Sequence, residues 1–191
     1  MRVSLLGSLA CLVLTGAALA DPGGPAAGLR GPSDRLGIGR AATPELLAAW
    51  DIDIRADGQG LPPGHGSVRD GAALFEARCA ACHGAKGEGG SADALAGGQG
   101  SLATPKPVRT VGSYWPYATT LFDYIRRAMP FDAPQTLSAD ETYALSAYVL
   151  HLNGLLPQDA VLDAGALPAV VMPNRHGFTG DARPDIPVTA R

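Results

Sequence analysis

Cys79 and Cys82 stand three positions apart with His83 directly after them, in the run Cys79-Ala80-Ala81-Cys82-His83. Two thiols on one turn of helix can reach the two vinyl groups along one edge of a porphyrin. The next residue is then carried under the iron, where its imidazole nitrogen makes the proximal bond. The pentad is the signature of covalent c-type haem attachment. Other uses of these side chains explain less. A structural disulfide leaves His83 without a role. A thioredoxin-type pair expects a strand before it and a helix starting at it, whereas a helical pattern precedes this one. A zinc site wants four ligands, and no second cysteine pair exists to supply them. The cofactor expected is one covalently bound haem c, with its iron.

The iron's sixth position is the next question. Beyond Met1 the methionines are Met129 and Met172, and the other histidines are His65, His151 and His176. Met129 lies 46 residues beyond His83, in Arg126-Arg127-Ala128-Met129-Pro130-Phe131. Pro130 stops a helix expected over Thr119 to Ala128, so Met129 is expected on a chain reversal able to face the iron. A thioether ligand raises the reduction potential and fills the open position, which favours electron transfer over oxygen chemistry. Met129 is therefore the expected distal ligand, with core packing as its other use. Met172 also precedes a proline but sits in an irregular tail, and it is the main competitor. His151 on an apolar-periodic helix, and His65 and His176 in Gly/Pro-rich segments, are lesser alternatives.

Helices must carry these ligands. Val68 to Ala77 places Val68, Ala72, Leu74 and Phe75 near one helical face, with Asp70 in the first turn. The run Gly84 to Gly90 is glycine-rich, as a loop bending around a porphyrin edge requires, and it lacks the Gly-Lys-Ser/Thr ending of a phosphate loop. A last helix is expected from about Ser138 to Asn153. Ser138 and Glu141 form a capping box, Tyr143, Ala144, Leu145, Ala147, Tyr148, Val149 and Leu152 fill its buried side, and Gly154 ends it.

Around this core, residues 67–155, lie two segments of different composition. Residues 21–66 hold 6 Pro and 10 Gly, an arm with one short helix in which Thr43 caps, Pro44 opens and Glu45 occupies the first turn. Trp50-Asp51-Ile52-Asp53-Ile54 follows as an alternating stretch expected to lie with its apolar side down. Residues 156–191 carry five prolines and read as a tail that wraps the domain or a partner. Residues 1–20 read as a cleavable secretory signal: Arg2, an apolar stretch, then Ala18-Leu19-Ala20 before Asp21. A membrane anchor and lipidation at Cys11 are the alternatives there. Cleavage implies a periplasmic protein in an oxidising compartment, with no stable membrane span after processing.

The chain has 191 residues, 46% hydrophobic and 17% charged, which excludes a charge-rich disordered chain and a polytopic membrane protein. A net charge of −3 argues against a nucleic-acid partner. Three cysteines exclude a disulfide scaffold.

The core resembles a class I cytochrome c: the C-x-x-C-H pentad, a Met-Pro ligand loop and a terminal helix. The flanks resemble cytochrome subunits of sulfur-compound dehydrogenases, in Gly37 to Pro44, Ala49 to Asp53, Gly60 to Gly64, Leu95 to Gly100, Val111 to Tyr117 and Met172 to Arg175. The resemblance implies an all-α, class I cytochrome c fold around one haem, with an irregular N-terminal arm and C-terminal tail. It implies thioethers at Cys79 and Cys82, proximal ligation by His83 and distal ligation by Met129. Tyr114 and Trp115 would flank the haem near its propionates, although aromatic packing alone explains both.

The resemblance also implies an electron-transfer subunit serving a molybdenum sulfite or sulfane dehydrogenase, which passes electrons on to another cytochrome or oxidase and does no bond chemistry itself. Sulfane dehydrogenase cytochromes of this type commonly carry a second haem domain, and only one C-x-x-C-H occurs here. Two other readings stand beside it. A haem enzyme (thiosulfate dehydrogenase or peroxidase) needs an open or cysteine-ligated site. A free diffusible carrier needs a charged docking face, for which Arg109, Arg126 and Arg127 are the available cluster.

Overall fold

The structure, a computed structural model, describes residues 40–180. The expected signal segment, residues 21–39 of the arm and residues 181–191 of the tail lie outside the described residues. In chain order the elements are α1 (Pro44–Trp50), β1 (His65–Ser67), α2 (Val68–Arg78), α3 (Ala80–His83), α4 (Val111–Tyr114), α5 (Ala118–Ala128), α6 (Ala139–Leu152), β2 (Val161–Asp163) and α7 (Ala166–Ala169). A 3-10 turn at Ser101–Ala103 interrupts the long connection between α3 and α4.

The helix boundaries follow their caps. The Ser67 hydroxyl accepts from the Asp70 N–H to open α2. The Ser138 hydroxyl accepts from the Glu141 N–H while the Glu141 carboxylate takes the Ser138 N–H, a reciprocal box that opens α6. Thr110 and Ser113 close a similar box at α4. Asn153 caps α6, and Gly154 follows at φ 70°.

Helix α6 is the centre of the fold. Its sequence promises one buried side, yet Thr142, Tyr143, Ala144, Leu145, Ser146, Ala147, Val149 and Leu150 are all buried. The reason is that α2, α5, β1 and β2 all pack against it. The two hydroxyls thus enclosed are satisfied within the helix, Thr142 donating to the Ser138 carbonyl and Ser146 to that of Thr142. Helices α2 and α6 touch through Gly71, where any Cβ would collide with the Ala144 carbonyl. Phe122 of α5 lies against Tyr143 with ring centroids 4.5 Å apart.

The remaining sheet is two strands of three residues, antiparallel, pairing Gly66 with Leu162. Chain beyond both ends of 67–155 joins the core here. Leu162, Leu167 and Met172 from the C-terminal side are buried, and Ile54 and Leu61 from the N-terminal side pack against the same cluster. The alternation from Asp51 to Ala56 is realised, exposed acidic or basic residues against half-buried Ile52 and Ile54, but Trp50 at its head is 78% exposed. Trp50 belongs to α1, which buries no residue.

Candidate haem site

The pentad straddles a break between two helices. Cys79 ends α2, its N–H bonded to the Phe75 carbonyl, and its own carbonyl accepts from the Cys82 and His83 N–H groups to start α3. This single turn places Cys79, Cys82 and His83 on the wall of a cavity of about 750 Å³, within the ~300–1,000 Å³ typical of cofactor sites. The lining is mainly apolar, with Phe75, Leu121, Ile125, Leu145 and Val149 drawn from α2, α5 and α6. Both thiols are free. Burial pushes the Cys79 thiol up from its ordinary value; the neighbouring Arg78 opposes this and Cys82 adds to it. Thiols of redox pairs are shifted the other way.

The imidazole of His83 is held by its far side. Its Nδ1 lies 2.8 Å from the Asp93 carbonyl oxygen, and a carbonyl only accepts, so Nδ1 carries the proton and Nε2 keeps a free lone pair for a metal. The loop that brings Asp93 there folds back on the pentad: Gly89 N–H donates to the His83 carbonyl at 2.7 Å and Ala92 N–H to that of Cys82 at 3.0 Å. Gly84, at φ 80°, makes the first reversal directly after His83. Asn153 then pins the loop to α6. Its amide donates to the Leu95 and Val149 carbonyls, and its oxygen accepts from Gly97 N–H.

Met129 is the residue that caps α5, its N–H bonded to the Ile125 carbonyl, and its half-buried side chain lines the same cavity. Trp115 lines it too, set edge-on to Tyr124 at 5.8 Å. Tyr114 does not. Because chain direction changes after α4, consecutive side chains diverge, and Tyr114 faces a separate depression with Arg109 and Phe178, beneath the Asn174 amide that donates to its carbonyl. The other candidate ligands also lie elsewhere. Met172 is buried in the core, His65 sits on β1, and His151 Nδ1 bonds the Leu156 carbonyl; none of these, nor His176, lines the cavity.

The three arginines do not gather at the cavity either. Arg109 lies over the Tyr114 ring, and Arg127 is engaged by Asp123 and Asp53. Arg78 does line it, donating to the Thr136 hydroxyl. Sequence reasoning missed the Asp93 carbonyl, which is backbone and carries no residue signal, and it missed Asn153, legible only as the end of a helix.

A cavity with two thiols and a proton-fixed imidazole on one wall fits a covalently bound haem. Residues 68–153 match the cytochrome c family, and the chain belongs to that family, with the class I fold. Its role is accordingly haem-based electron transfer. Over 78% of its length the chain is 52% identical to a chain in the crystal structure of the sulfane dehydrogenase SoxCD from Paracoccus pantotrophus, covering 74% of that chain with a TM-score of 0.74. No curated protein matches the chain. Among the described residues no helix is long and apolar enough to cross a membrane.

Proposed function

We propose that this chain is a monohaem, periplasmic electron-transfer subunit of a molybdenum sulfite or sulfane dehydrogenase, delivered by a cleaved signal at residues 1–20. It accepts electrons from the molybdenum subunit and passes them to a further cytochrome or oxidase, while catalysis stays with the partner. The observation that carries the haem assignment is the pairing of His83 and Met129: of the histidines and methionines in the described residues, these two line the cavity. Similarity to a chain of SoxCD supports the partner class.

In this reading Cys79 and Cys82 hold the haem by thioethers, His83 Nε2 takes the proximal position and the Met129 thioether the distal one. The haem, when bound, supplies reversible one-electron chemistry at iron. The Asp93 carbonyl orients His83 and increases its donor strength. Apolar walls from α2, α5 and α6 keep water away, which with Met129 favours a raised potential. Trp115 packs beside the cofactor. Tyr114 packs against the C-terminal segment instead of the cavity.

Expression with haem-maturation machinery followed by visible spectroscopy tests the ligand set. Sharp reduced c-type bands and the weak red-edge band of Met–iron ligation are expected, with the latter lost in Met129→Ala and kept in Met172→Ala. A high-spin spectrum, or one that Met129→Ala leaves unchanged, overturns it. Reduction of the loaded chain by a sulfite or sulfane dehydrogenase with its own substrate tests the partner.

A further inference from the structure

Helix α5 carries two stripes. Leu121, Tyr124, Ile125 and, at its end, Met129 line the cavity. Thr119, Asp123 and Arg127 recur every four residues along another side, and the N-terminal arm lies on them. Arg127 Nε donates to both Asp123 oxygens at 3.1 and 3.0 Å. Its Nη2 reaches the Asp53 carboxylate at 2.9 Å and the Ile52 carbonyl at 3.1 Å. At the other end of the stripe the Thr119 hydroxyl stands 3.5 Å from the Ala56 carbonyl. The lengths agree: four extended steps from Ile52 to Ala56 span about 13 Å, and eight helical steps from Thr119 to Arg127 about 12 Å. The arm therefore runs antiparallel to α5 and meets it at both ends.

Past Pro130, which is itself buried, the chain turns to the surface. Pro130 has no N–H to donate, and from Phe131 to Thr136 every residue but Ala133 is exposed, with Phe131 89% exposed. Two of the bonds there are local, Ala133 N–H to the Pro130 carbonyl and the Thr136 hydroxyl to that of Ala133; the long-range bond is at the far end of the segment, from Arg78 Nη2 to the Thr136 hydroxyl at 3.2 Å. Arg127 sits in the last turn of α5, two residues before Met129.

We propose that Arg127 is a positioning residue for the distal ligand, clamping arm residues Ile52–Asp53 to the last turn of α5 so that Met129 stays on the cavity wall. This rests on Met129 being the iron's distal ligand. The arm is then part of the redox site, although none of its described residues lines the cavity. Asp123 keeps the guanidinium extended along the helix, and Asp53 supplies the arm's half of the clamp.

The test is a titration of the oxidised, haem-loaded full chain with imidazole, which binds iron only when Met129 has left it. Apparent affinity then scales with the fraction of chains in which Met129 is off. Arg127→Gln and Asp53→Asn are each expected to tighten imidazole binding about twofold to fivefold, with Arg127→Lys between them and the parent. Arg55→Ala, which breaks the exposed Arg55–Asp57 pair in the same arm, leaves binding unchanged. Met129→Ala tightens it most.

If both clamp variants bind imidazole like the parent while Met129→Ala binds far more tightly, the clamp does not position Met129 and the ligand assignment stands. A loss of urea stability without a change in imidazole affinity overturns the clamp in the same way. If Met129→Ala itself leaves affinity unchanged, the ligand assignment falls and takes the clamp with it. Should Arg127→Gln fail to load haem, Asp53→Asn decides alone, since that carboxylate is 81% exposed and its loss leaves nothing buried unpaired.

Discussion

The two walls of the cavity are built on different principles. On the His83 wall, ligand and supports lie close together in sequence: Cys79, Cys82 and His83 share one turn, and Asp93 is ten residues away. Backbone hydrogen bonds provide most of the support there, and the more distant anchors, Asn153, Thr110 and Val111, act on the loop at Leu95 and Gly97 rather than on the ligand. On the Met129 wall the ligand candidate ends a helix, the chain beyond Pro130 is largely exposed, and the last turn is tied through Arg127 both to Asp123 of its own helix and to Asp53, 74 residues earlier. One wall is nearly self-contained. The other draws on the arm as well.

The sharpest way to separate the walls is to remove their ligands in turn. His83→Ala should abolish the low-spin spectrum altogether, because the proximal bond is what places the iron; absorption spectra of purified chain check this. Met129→Ala should keep haem attached and raise apparent imidazole affinity about 100-fold, as expected when a competing state populated near 1% becomes the only one. If the two variants look alike, the asymmetry between the walls is wrong.

Smaller changes probe the supports. Asn153→Ala removes the side-chain donor to the Leu95 and Val149 carbonyls, of which Leu95 keeps the Val111 N–H, and the acceptor for the Gly97 N–H, and should cost about 2–3 kcal/mol in urea unfolding. Because it loosens the loop on the His83 side, it should leave imidazole competition at Met129 unaltered. Ser138→Ala removes the cap of α6 just after the Met129 loop and should cost about 1 kcal/mol.

The weakest effect is acid dependence. The Ser138 N–H and hydroxyl hold the Glu141 carboxyl below its ordinary value. Its folded pKa lies below its unfolded one, so its contribution is complete above the unfolded value, about 4.3, and is lost as pH falls through the folded one. Glu141→Gln should flatten that part of the stability curve, measured by unfolding at a series of pH values.

Much of this was readable from residue types. C-x-x-C-H points to covalent haem attachment because thioethers and the proximal bond need that spacing, and the ends of α6 at Ser138 and Gly154 follow from capping, which is local. The helix expected over Thr119 to Ala128 forms within one residue of those bounds, since Pro130 stops it. Regions without period were harder. Leu162, Leu167 and Met172 lie on a three-residue strand, a single turn and an irregular stretch, and no repeating pattern marks them as buried. Arg127 shows both cases: Asp123 four residues before it is a partner that helical spacing makes visible, whereas Asp53, 74 residues away, is not.

By itself, the sequence determined what neighbouring residues set between them: a C-x-x-C-H pentad on one turn, whose chemistry suits covalent haem, and helices that start and stop by their own caps. Those are short-range effects, decided by residue type and spacing. Tertiary structure alone decided that Met172 is buried away from the cavity while Met129 lines it, a placement the sequence could only favour, that Trp115 lines it and Tyr114 does not, that a backbone carbonyl bonds His83, and that the arm contacts α5. Each of these depends on where distant segments meet, and packing around α6, not spacing along the chain, sets those meetings.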